Sequence, residues 1–201
     1  MDRADYLRKI RQDIRFDATL AGVALSFVTT WGLFSPRAID EGTELLLRHI
    51  EVDPGDDCFD LGCGYGPIGL TLASLAGEGR TLMVDRDFVA VDYAARNAEL
   101  NGIGNAHAQL SNGFQHVEPA LRFDLVASNV PAKVGRELLM ILLDDACRRL
   151  RPGGRIWVVS ITGLRRLFER ELKATFGNYA KVKQGKRYTV SMAVKQGASS
   201  F

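Results

Sequence analysis

The amino-acid sequence predicts an α/β fold built on a mostly parallel sheet with helices on both faces. From residue 56 onward, short apolar runs alternate with helix-length amphipathic segments. Strands separated by helices imply right-handed crossovers, and therefore parallel strands that are buried on both sides. The chain has 201 residues, of which 46% are hydrophobic and 25% are charged. That composition is typical of a globular domain large enough to bury a full hydrophobic core.

The residues before this alternation form an N-terminal segment of a different kind. We predict a helix over 3–13, a β-hairpin over 14–30 that turns near Ala21 and Gly22, and a helix over 37–50. Residues 18–36 carry no charge and approach the length of a membrane span. Their apolar side chains partly alternate with polar ones, as in a half-buried strand, so we expect a hairpin and no membrane association.

The alternating region supplies the sheet. Its predicted strands lie at 58–61, 81–84, 106–110, 123–127 and 156–161, and its predicted helices lie at 67–77, 87–101, 134–150 and 163–176. The segment Arg151-Pro152-Gly153-Gly154 is expected to end a helix and to turn the chain into the fifth strand. Only Gly185 and Lys186 join the runs 178–184 and 187–194, which leaves no room for a helix. The core is therefore expected to have five parallel strands that end in an antiparallel hairpin pair.

Cysteine content and charge restrict the setting of the protein. Cys58, Cys63 and Cys147 have no metal-ligand spacing and cannot all pair with one another, which predicts a reduced, cytoplasmic protein without a metal site. Residues 1–132 hold 11 Lys and Arg against 19 Asp and Glu, whereas residues 133–201 hold 15 against 5. This asymmetry suits either a surface that faces nucleic acid or ordinary solvated helix faces. No histidine or serine lies in a nucleophile pattern, so hydrolase chemistry is not predicted.

The most informative segment is the glycine-rich turn after the first predicted strand. It reads Asp60-Leu61-Gly62-Cys63-Gly64-Tyr65-Gly66-Pro67-Ile68-Gly69. Glycines permit positive φ and let the backbone approach a ligand closely, and the helix that follows offers free N–H groups. The carboxylate of Asp60 would repel a pyrophosphate, but it could accept from an ammonium group or from a water beside one. Asp85 ends the second strand, where a carboxylate can accept both hydroxyls of a ribose. These features together predict a nucleoside ligand with an amino-acid end.

With these motifs the chain resembles the class I S-adenosylmethionine-dependent methyltransferases, and within them the methyltransferase small domain family, which includes the ribosomal RNA guanine-N2 methyltransferases. The resemblance runs from about residue 28 to about residue 195. It rests on Phe34-Ser35-Pro36, on Asp40-Glu41-Gly42-Thr43-Glu44-Leu45-Leu46-Leu47, on the glycine turn, on Val84-Asp85 with Ala94, Asn97 and Asn101, and on Arg187-Tyr188-Thr189-Val190. It implies a Rossmann-like class I methyltransferase domain in residues 36–201, preceded by a helix and hairpin extension in residues 1–35.

The resemblance also implies where S-adenosylmethionine would bind. The residues concerned are Asp60, Gly62, Cys63, Gly64 and Gly66 at its methionine end, Asp85 and Arg86 at its ribose, Ser111 and Asn112 at its adenine, and Thr43 as a cover. Asn112 replaces an aspartate that relatives usually carry at or next to this position. Its amide can still form hydrogen bonds with the edge of the adenine.

The segment Asn129-Val130-Pro131-Ala132-Lys133 follows the fourth predicted strand and is expected to face the transferred methyl group. Relatives that methylate amino groups of bases or glutamine amides carry Asn-Pro-Pro there, followed by an aromatic or apolar residue. The resemblance therefore implies Asn129, Val130 and Pro131 as the catalytic segment. The side-chain oxygen of Asn129 and the carbonyl of Val130 would accept two N–H bonds from the amine. Transfer can then proceed through positioning and electrostatics, without a metal.

Substrate contacts are predicted next to this segment. Ala132 offers no ring on which a base could stack, so an RNA substrate needs an aromatic from elsewhere, such as Phe34 or Trp31. Lys133 and Arg136 are expected to steer a phosphate backbone toward the site. Further along the chain, a basic helical stripe of Arg166, Arg170 and Lys173 is a second candidate for phosphate contacts.

The sequence therefore predicts an S-adenosylmethionine-dependent methyltransferase acting on an exocyclic amino group, guanine N2, in ribosomal or other structured RNA. The missing stacking residue favours an alternative acceptor, either a protein glutamine or a small molecule. Val130 and Ala132 also leave open a cofactor-binding module without turnover. An NAD-dependent oxidoreductase would rest on Gly64, Gly66 and Gly69 alone, because this G-x-G-x-x-G string is not specific by itself.

Overall fold

The computed structural model describes residues 2–197. Its helices are α1 (Arg3–Ile10), α2 (Glu41–Leu47), α3 (Pro67–Leu75), α4 (Phe88–Leu100), α5 (Arg136–Arg149) and α6 (Arg165–Phe176), the last preceded by a 3-10 turn at Thr162–Leu164. Its strands are β1 (Ile14–Leu20), β2 (Val23–Thr29), β3 (Cys58–Leu61), β4 (Thr81–Asp85), β5 (Ala106–Leu110), β6 (Phe123–Asn129), β7 (Leu150–Ile161), β8 (Ala180–Gln184) and β9 (Tyr188–Val194). Within residues 2–197, no helix is both long and apolar enough to cross a membrane.

Seven strands form one sheet in the order β5-β4-β3-β6-β7-β9-β8. Strands β3 to β7 are parallel, and β9 lies antiparallel between β7 and the edge strand β8. The predicted α/β class and the closing antiparallel hairpin are therefore confirmed. From β3 the chain adds β4 and β5 on one side, and it then returns to add β6 and β7 on the other side of β3. The position between β3 and β6 is therefore a topological switch point, and in such folds ligands bind at the carboxyl ends of the strands beside it.

The predicted β-hairpin forms a separate two-stranded sheet that packs on α4. The side chain of Asn97 binds the backbone N–H and C=O of Val28 in β2, at 2.8 and 3.0 Å. The side chain of Asn101 binds the backbone N–H and C=O of Ser26 in the same way, at 2.8 Å each. The two side chains thereby satisfy an edge strand that has no neighbouring strand on that side. Asn97 also donates to the carbonyl of Tyr65 at 2.9 Å, so the same residue links the hairpin to the glycine turn.

The helix around residue 40 is shorter than predicted, because it begins only after Asp40. The carboxyl of Asp40 accepts from the amides of Gly42 and Thr43 at 2.9 and 3.3 Å, which is the usual geometry of a helix N-cap. Residues 37–40 are therefore not helical, and α2 ends at Leu47 rather than at residue 50. This cap places Asp40 next to the cavity described below.

Two boundaries near the fifth parallel strand also differ from the prediction. The helix ends just before residues 151–154, as predicted, but these residues form a bulge within β7 and not a turn ahead of it, because β7 already begins at Leu150, which pairs with Phe123. The register shifts between Phe123 and Leu125, which accommodates the positive φ of Gly153. Strand β6 continues through Asn129, which pairs with Val159, instead of ending at residue 127. Asn129 therefore has the fixed backbone of a strand.

Candidate active site

A cavity of about 370 Å³ opens at the carboxyl ends of β3, β4 and β6. This volume is in the usual range for a site that binds a small molecule. Most of the residues that the sequence singled out line it, namely Phe34, Thr43, Gly62, Cys63, Gly64, Asp85, Arg86, Ser111, Asn112, Asn129, Val130, Pro131 and Lys133. Asp60, Gly66 and Arg136 were predicted with them but do not line the cavity.

The glycine turn forms one wall of the cavity. Gly62 and Gly64 have φ of +77° and +56°, and a Cβ at either position would meet no atom within 4 Å. Larger residues there would be strained and would project into the cavity, so the two glycines leave room for a ligand against the backbone. Cys63 lies between them, and burial raises the pKa of its thiol well above the ordinary value. The thiol is therefore protonated near neutral pH and is not an activated nucleophile.

Asp60 lies behind this wall and is fully buried. One carboxyl oxygen, Oδ2, accepts from the amide of Gly69 at 2.7 Å, whereas Oδ1 is buried and has no hydrogen-bond partner among residues 2–197. Burial raises the pKa of Asp60 to about 7, although the Gly69 amide acts in the opposite direction. The direct contact with an ammonium group that the sequence favoured is therefore not available to this carboxyl as it stands. The buried Oδ1, which has no partner in the described part of the chain, still favours a positive charge or a hydrogen-bond donor on the cavity side of the glycine turn.

Asp85 holds the glycine turn from the end of β4. Its Oδ2 accepts from the amide of Gly64 at 3.0 Å, and its Oδ1 accepts from the amide of Asp87 at 2.9 Å. Each carboxylate oxygen can accept more than one hydrogen bond, so both retain capacity toward the cavity. The arrangement suits a pair of vicinal hydroxyls, as on a ribose.

The wall predicted for the adenine is formed by the turn after β5. Ser111 is buried, and its hydroxyl donates to the carbonyl of Gly113 at 2.7 Å and accepts from the amide of His116 at 3.2 Å. That side chain therefore maintains the turn rather than presenting its hydroxyl to a ligand. Asn112 is exposed, and within residues 2–197 its amide has no hydrogen-bond partner. Of the two residues, Asn112 is the one with free donors and acceptors at this wall.

The amide of Asn129 is oriented by two side chains that come from the α2 region. Its Nδ2 donates to Oδ2 of Asp40 at 2.9 Å and to Oγ1 of Thr43 at 3.0 Å. Asp40 is in turn held by the hydroxyl of Tyr188, which donates to Oδ1 at 3.0 Å. Both N–H groups of the Asn129 amide are thus used within the protein, and its oxygen is the group left for a ligand in the cavity.

Asp40 and Tyr188 are functional candidates that the sequence analysis did not assign to the site. Both belong to the motifs that carry the family resemblance, so the signal was present. The predicted helix over 37–50 concealed it, because a residue inside a helix would not be expected to cap one and to reach a strand as well. Asp40 lies 89 positions from Asn129 and 148 positions from Tyr188, and such contacts have no local sequence signature.

The segment after β6 divides into a fixed part and an exposed part. Val130 is buried, and its amide donates to the carbonyl of Val159 at 2.9 Å, which extends the pairing of β6 with β7 by one residue. Pro131 and Lys133 are exposed at the mouth of the cavity. Arg136 is directed elsewhere, because its Nε lies 3.2 Å from Oε1 of the buried Glu171. Lys133, and not Arg136, is therefore the basic residue at this part of the mouth.

Two exposed aromatic side chains lie in the segment between β2 and α2, and one of them lines the cavity. Phe34 is 66% exposed and lines the cavity. Trp31 is 47% exposed, and the guanidinium of Arg37 lies 5.5 Å from the centre of its ring. Neither residue is buried in the core. Phe34 is thus available as the stacking surface that Ala132 does not provide.

The sequence matches the methyltransferase small domain family over residues 24–192. It is 34% identical over 137 residues to the protein YbxB of Bacillus subtilis, which is 67% of either chain. It is 33% identical over 171 residues to the ribosomal RNA large subunit methyltransferase G of Streptomyces avermitilis, covering 82% of this chain and 44% of that one.

A solved structure agrees with the sequence comparison. The 16S ribosomal RNA guanine-N2 methyltransferase of T. thermophilus, in complex with AdoMet and guanosine, matches with a TM-score of 0.83 at 29% identity. The match covers 92% of this chain and 51% of that one, so the chain spans about half the length of the ribosomal RNA methyltransferases that it resembles. The family match covers most of the chain and includes the cavity walls, and the chain belongs to the methyltransferase small domain family.

Proposed function

We propose that the protein transfers the methyl group of S-adenosylmethionine to an exocyclic amino group, guanine N2, in ribosomal or other structured RNA. The observation that carries this proposal is the fixed amide of Asn129. Asp40 and Thr43 accept both of its N–H groups, so its oxygen is the acceptor offered to a substrate in the cavity. A neutral acceptor held in this way suits an amine that donates hydrogen bonds, rather than a hydroxyl that has to lose its proton.

The cavity walls fit the proposed cofactor. The glycine turn leaves room for the methionine end, and Asp85 offers carboxylate oxygens for the ribose hydroxyls. Asn112 offers an amide for the adenine, and the buried Oδ1 of Asp60 favours positive charge on the turn. S-adenosylmethionine, when bound, supplies an electrophilic methyl group on a positively charged sulfur.

The residues of this chain would contribute positioning to the reaction. The Asn129 oxygen and the Val130 carbonyl would accept the two N–H bonds of the amino group, which fixes the plane of the amine and the direction of its nitrogen lone pair. Both acceptors lie at the end of a paired strand, so their geometry is set before the substrate arrives. Preorganised hydrogen bonds of this kind lower the barrier without covalent participation of the protein.

The RNA part of the proposal is supported by the mouth of the cavity. Phe34 provides an exposed ring on which a base could stack, and Lys133 provides a positive charge near the end of β6. Two of the named relatives are ribosomal RNA methyltransferases, and the solved one is in complex with AdoMet and guanosine. A cytoplasmic location would accompany such a substrate.

The test is transfer of tritium from labelled S-adenosylmethionine into 16S and 23S ribosomal RNA transcribed in vitro, followed by digestion to nucleosides. We expect label in N2-methylguanosine. Replacing Asn129 with Ala should lower the transfer rate by about 100-fold, since misplaced reacting groups lose rate on this scale, while calorimetric affinity for S-adenosylmethionine is retained.

Other outcomes would contradict the proposal in distinguishable ways. Label in a protein glutamine or in a small molecule would replace the acceptor but keep the chemistry. Binding of the cofactor without transfer to any acceptor would indicate a binding module, and binding of NADH alone would remove the cofactor assignment. An unchanged rate in the Asn129→Ala variant would remove Asn129 from the mechanism.

A further inference from the structure

Beside the cavity, the carboxyl edge of the sheet carries a group of exposed or partly exposed cations at the β8–β9 turn and the start of α6. This group, the basic rim, consists of Arg165, Arg166, Lys183, Lys186 and Arg187. The two segments are in contact, because Nη1 of Arg165 donates to Oε1 of Gln184 at 2.9 Å. The amide of Thr162 also donates to the carbonyl of Arg187 at 2.7 Å. The rim is therefore one surface made by two elements.

The basic rim is adjacent to the catalytic segment. Ile161, the last residue of β7, pairs with Tyr188, the first residue of β9, so the β8–β9 turn projects from the same edge of the sheet as the end of β6. Tyr188 donates to Asp40, and Asp40 accepts from Asn129. Two side-chain hydrogen bonds thus separate the base of the rim from the proposed amine acceptor.

In the described part of the chain, the rim residues form almost no ion pairs. Within residues 2–197, Arg166, Lys183 and Lys186 have no carboxylate within 4.0 Å. Arg165 donates to a neutral glutamine and has no carboxylate within 4.0 Å in residues 2–197. Arg187 lies 3.8 Å from Glu41, with both side chains exposed. Exposed ion pairs of that length contribute little.

Several basic residues elsewhere in this third of the chain form close ion pairs. Arg170 lies 2.7 Å from Glu171, and Lys173 lies 2.8 Å from Glu169, so the helical stripe predicted from the sequence is largely paired. At the opposite edge of the sheet, Arg151 contacts Asp57 and Asp124, and Arg155 contacts Asp53 and Asp56. Among residues 2–197, the rim is thus a cluster of cations without close ion pairs at the edge of the sheet that holds the cavity.

We propose that the basic rim binds the phosphate backbone of the RNA that flanks the methylated nucleotide. This inference rests on the proposed function, since it assigns the surface by which the same site would hold its substrate. Unpaired cations bind phosphates well because they release condensed counterions and break no internal ion pair. Phosphate contacts set the position of the nucleic acid, while the cavity holds the target base.

The experiment compares single and double variants of two rim residues, Arg166→Ala and Lys186→Ala, with a matched control. The control is Arg80→Ala, which removes an exposed arginine that has no ion pair within residues 2–197 and precedes β4 at the opposite edge of the sheet. Binding to in vitro transcribed 16S and 23S ribosomal RNA is measured by filter retention between 50 and 200 mM salt. Calorimetric affinity for S-adenosylmethionine checks that the cavity is intact.

We expect each rim substitution to weaken RNA binding and to reduce the slope of log affinity against log salt by about 0.7 to 0.9, with the double variant losing about twice that. Arg80→Ala should leave affinity and slope unchanged, and all variants should bind S-adenosylmethionine as the wild type does. Rim-dependent RNA binding without methylation would support the rim while the proposed function failed.

Three results would overturn the inference. RNA could be methylated while the rim variants bind it with wild-type affinity and salt slope. The control could lose as much affinity as the rim variants, which would mean that only the net charge matters. The wild-type protein could also bind no RNA at 50 mM salt but bind poly-glutamate through the rim, which would indicate an acidic protein partner instead.

Discussion

The side-chain amide of Asn129 donates to the carboxyl of Asp40 across 2.9 Å, although the two residues lie 89 positions apart in the chain. An asparagine amide has an accepting and a donating end of nearly the same shape, and rotation by 180° would exchange them. The contact with Asp40 distinguishes the two orientations, because a carboxylate accepts but does not donate. The oxygen is thereby the end of the amide left free in a residue that lines the cavity, as the proposed amine acceptor requires.

We expect Asp40→Ala to lower kcat by about 100-fold while changing the affinity for S-adenosylmethionine little, because the Asn129 amide would lose its anchor. The same change removes the cap of α2 and should lower the free energy of unfolding by about 1 kcal/mol. Steady-state kinetics, calorimetry and thermal unfolding measure the three effects.

The matched variant for this residue is Asp40→Asn. Its amide can face Tyr188, whose hydroxyl can accept as well as donate, so the oxygen that holds Asn129 is retained. We expect kcat much closer to that of the wild type than in Asp40→Ala. Equal losses in the two variants would show that the negative charge, and not the orientation of Asn129, is what Asp40 contributes.

Replacing Asp85 with Ala should weaken S-adenosylmethionine binding by roughly 10- to 100-fold or more. The change removes hydrogen bonds to a charged acceptor, each of which contributes about 1.5 to 3 kcal/mol, and frees the Gly64 amide. The control is Asp87→Ala, which removes the cap contact with Val89 but lies outside the cavity. Calorimetry should show wild-type affinity for the control. Unchanged affinity in Asp85→Ala would remove its assignment to the ribose.

The buried carboxyl of Asp60 should make stability depend on pH. Burial raises its pKa to about 7, from an ordinary value of 3.8, so between these pH values the folded state keeps a proton that the unfolded state has lost. The free energy of unfolding contributed by this group therefore falls as the pH rises from about 4 to 7, and the full penalty is present above pH 7.

The variant Asp60→Asn stays uncharged and should lack this dependence. Denaturant unfolding of both proteins at a series of pH values between 4.5 and 8 measures it. We expect the stability of the wild type, relative to the variant, to increase as the pH falls from 7.5 to 5. Asp56 also has a raised pKa, but it is present in both proteins and cancels in the difference. Parallel curves would contradict the assignment of a raised pKa to Asp60.

Phe34→Ala should raise the KM for ribosomal RNA by roughly 5- to 150-fold, because base stacking on an aromatic side chain contributes about 1 to 3 kcal/mol. The side chain is mostly exposed, so its removal should leave the thermal unfolding temperature and the affinity for S-adenosylmethionine unchanged. Phe34→Trp retains a ring and should retain a KM near that of the wild type. If the Ala variant had an unchanged KM, the stacking surface would have to lie elsewhere.

The sequence alone predicted the features that depend on local pattern. The alternation of apolar runs and helical segments predicted five parallel strands, and the runs around Gly185 predicted the closing hairpin. The order of the strands in the sheet came only from the structure. The glycine turn and Asp85 could be placed because each lies at the carboxyl end of a strand, and the carboxyl ends of parallel strands meet at one edge. Thirteen of the predicted site residues line one cavity for this reason.

The tertiary structure decided what depends on contacts between distant segments. It directed Arg136 to Glu171 and placed Asp60 behind the glycine turn, because burial and ion pairing depend on which elements pack together. It also brought Asp40 and Tyr188 to Asn129, where a helix cap, a strand start and a strand end meet. The sequence determined which kinds of side chain are present, but only the packing of the sheet and helices determined which hydrogen bonds they make.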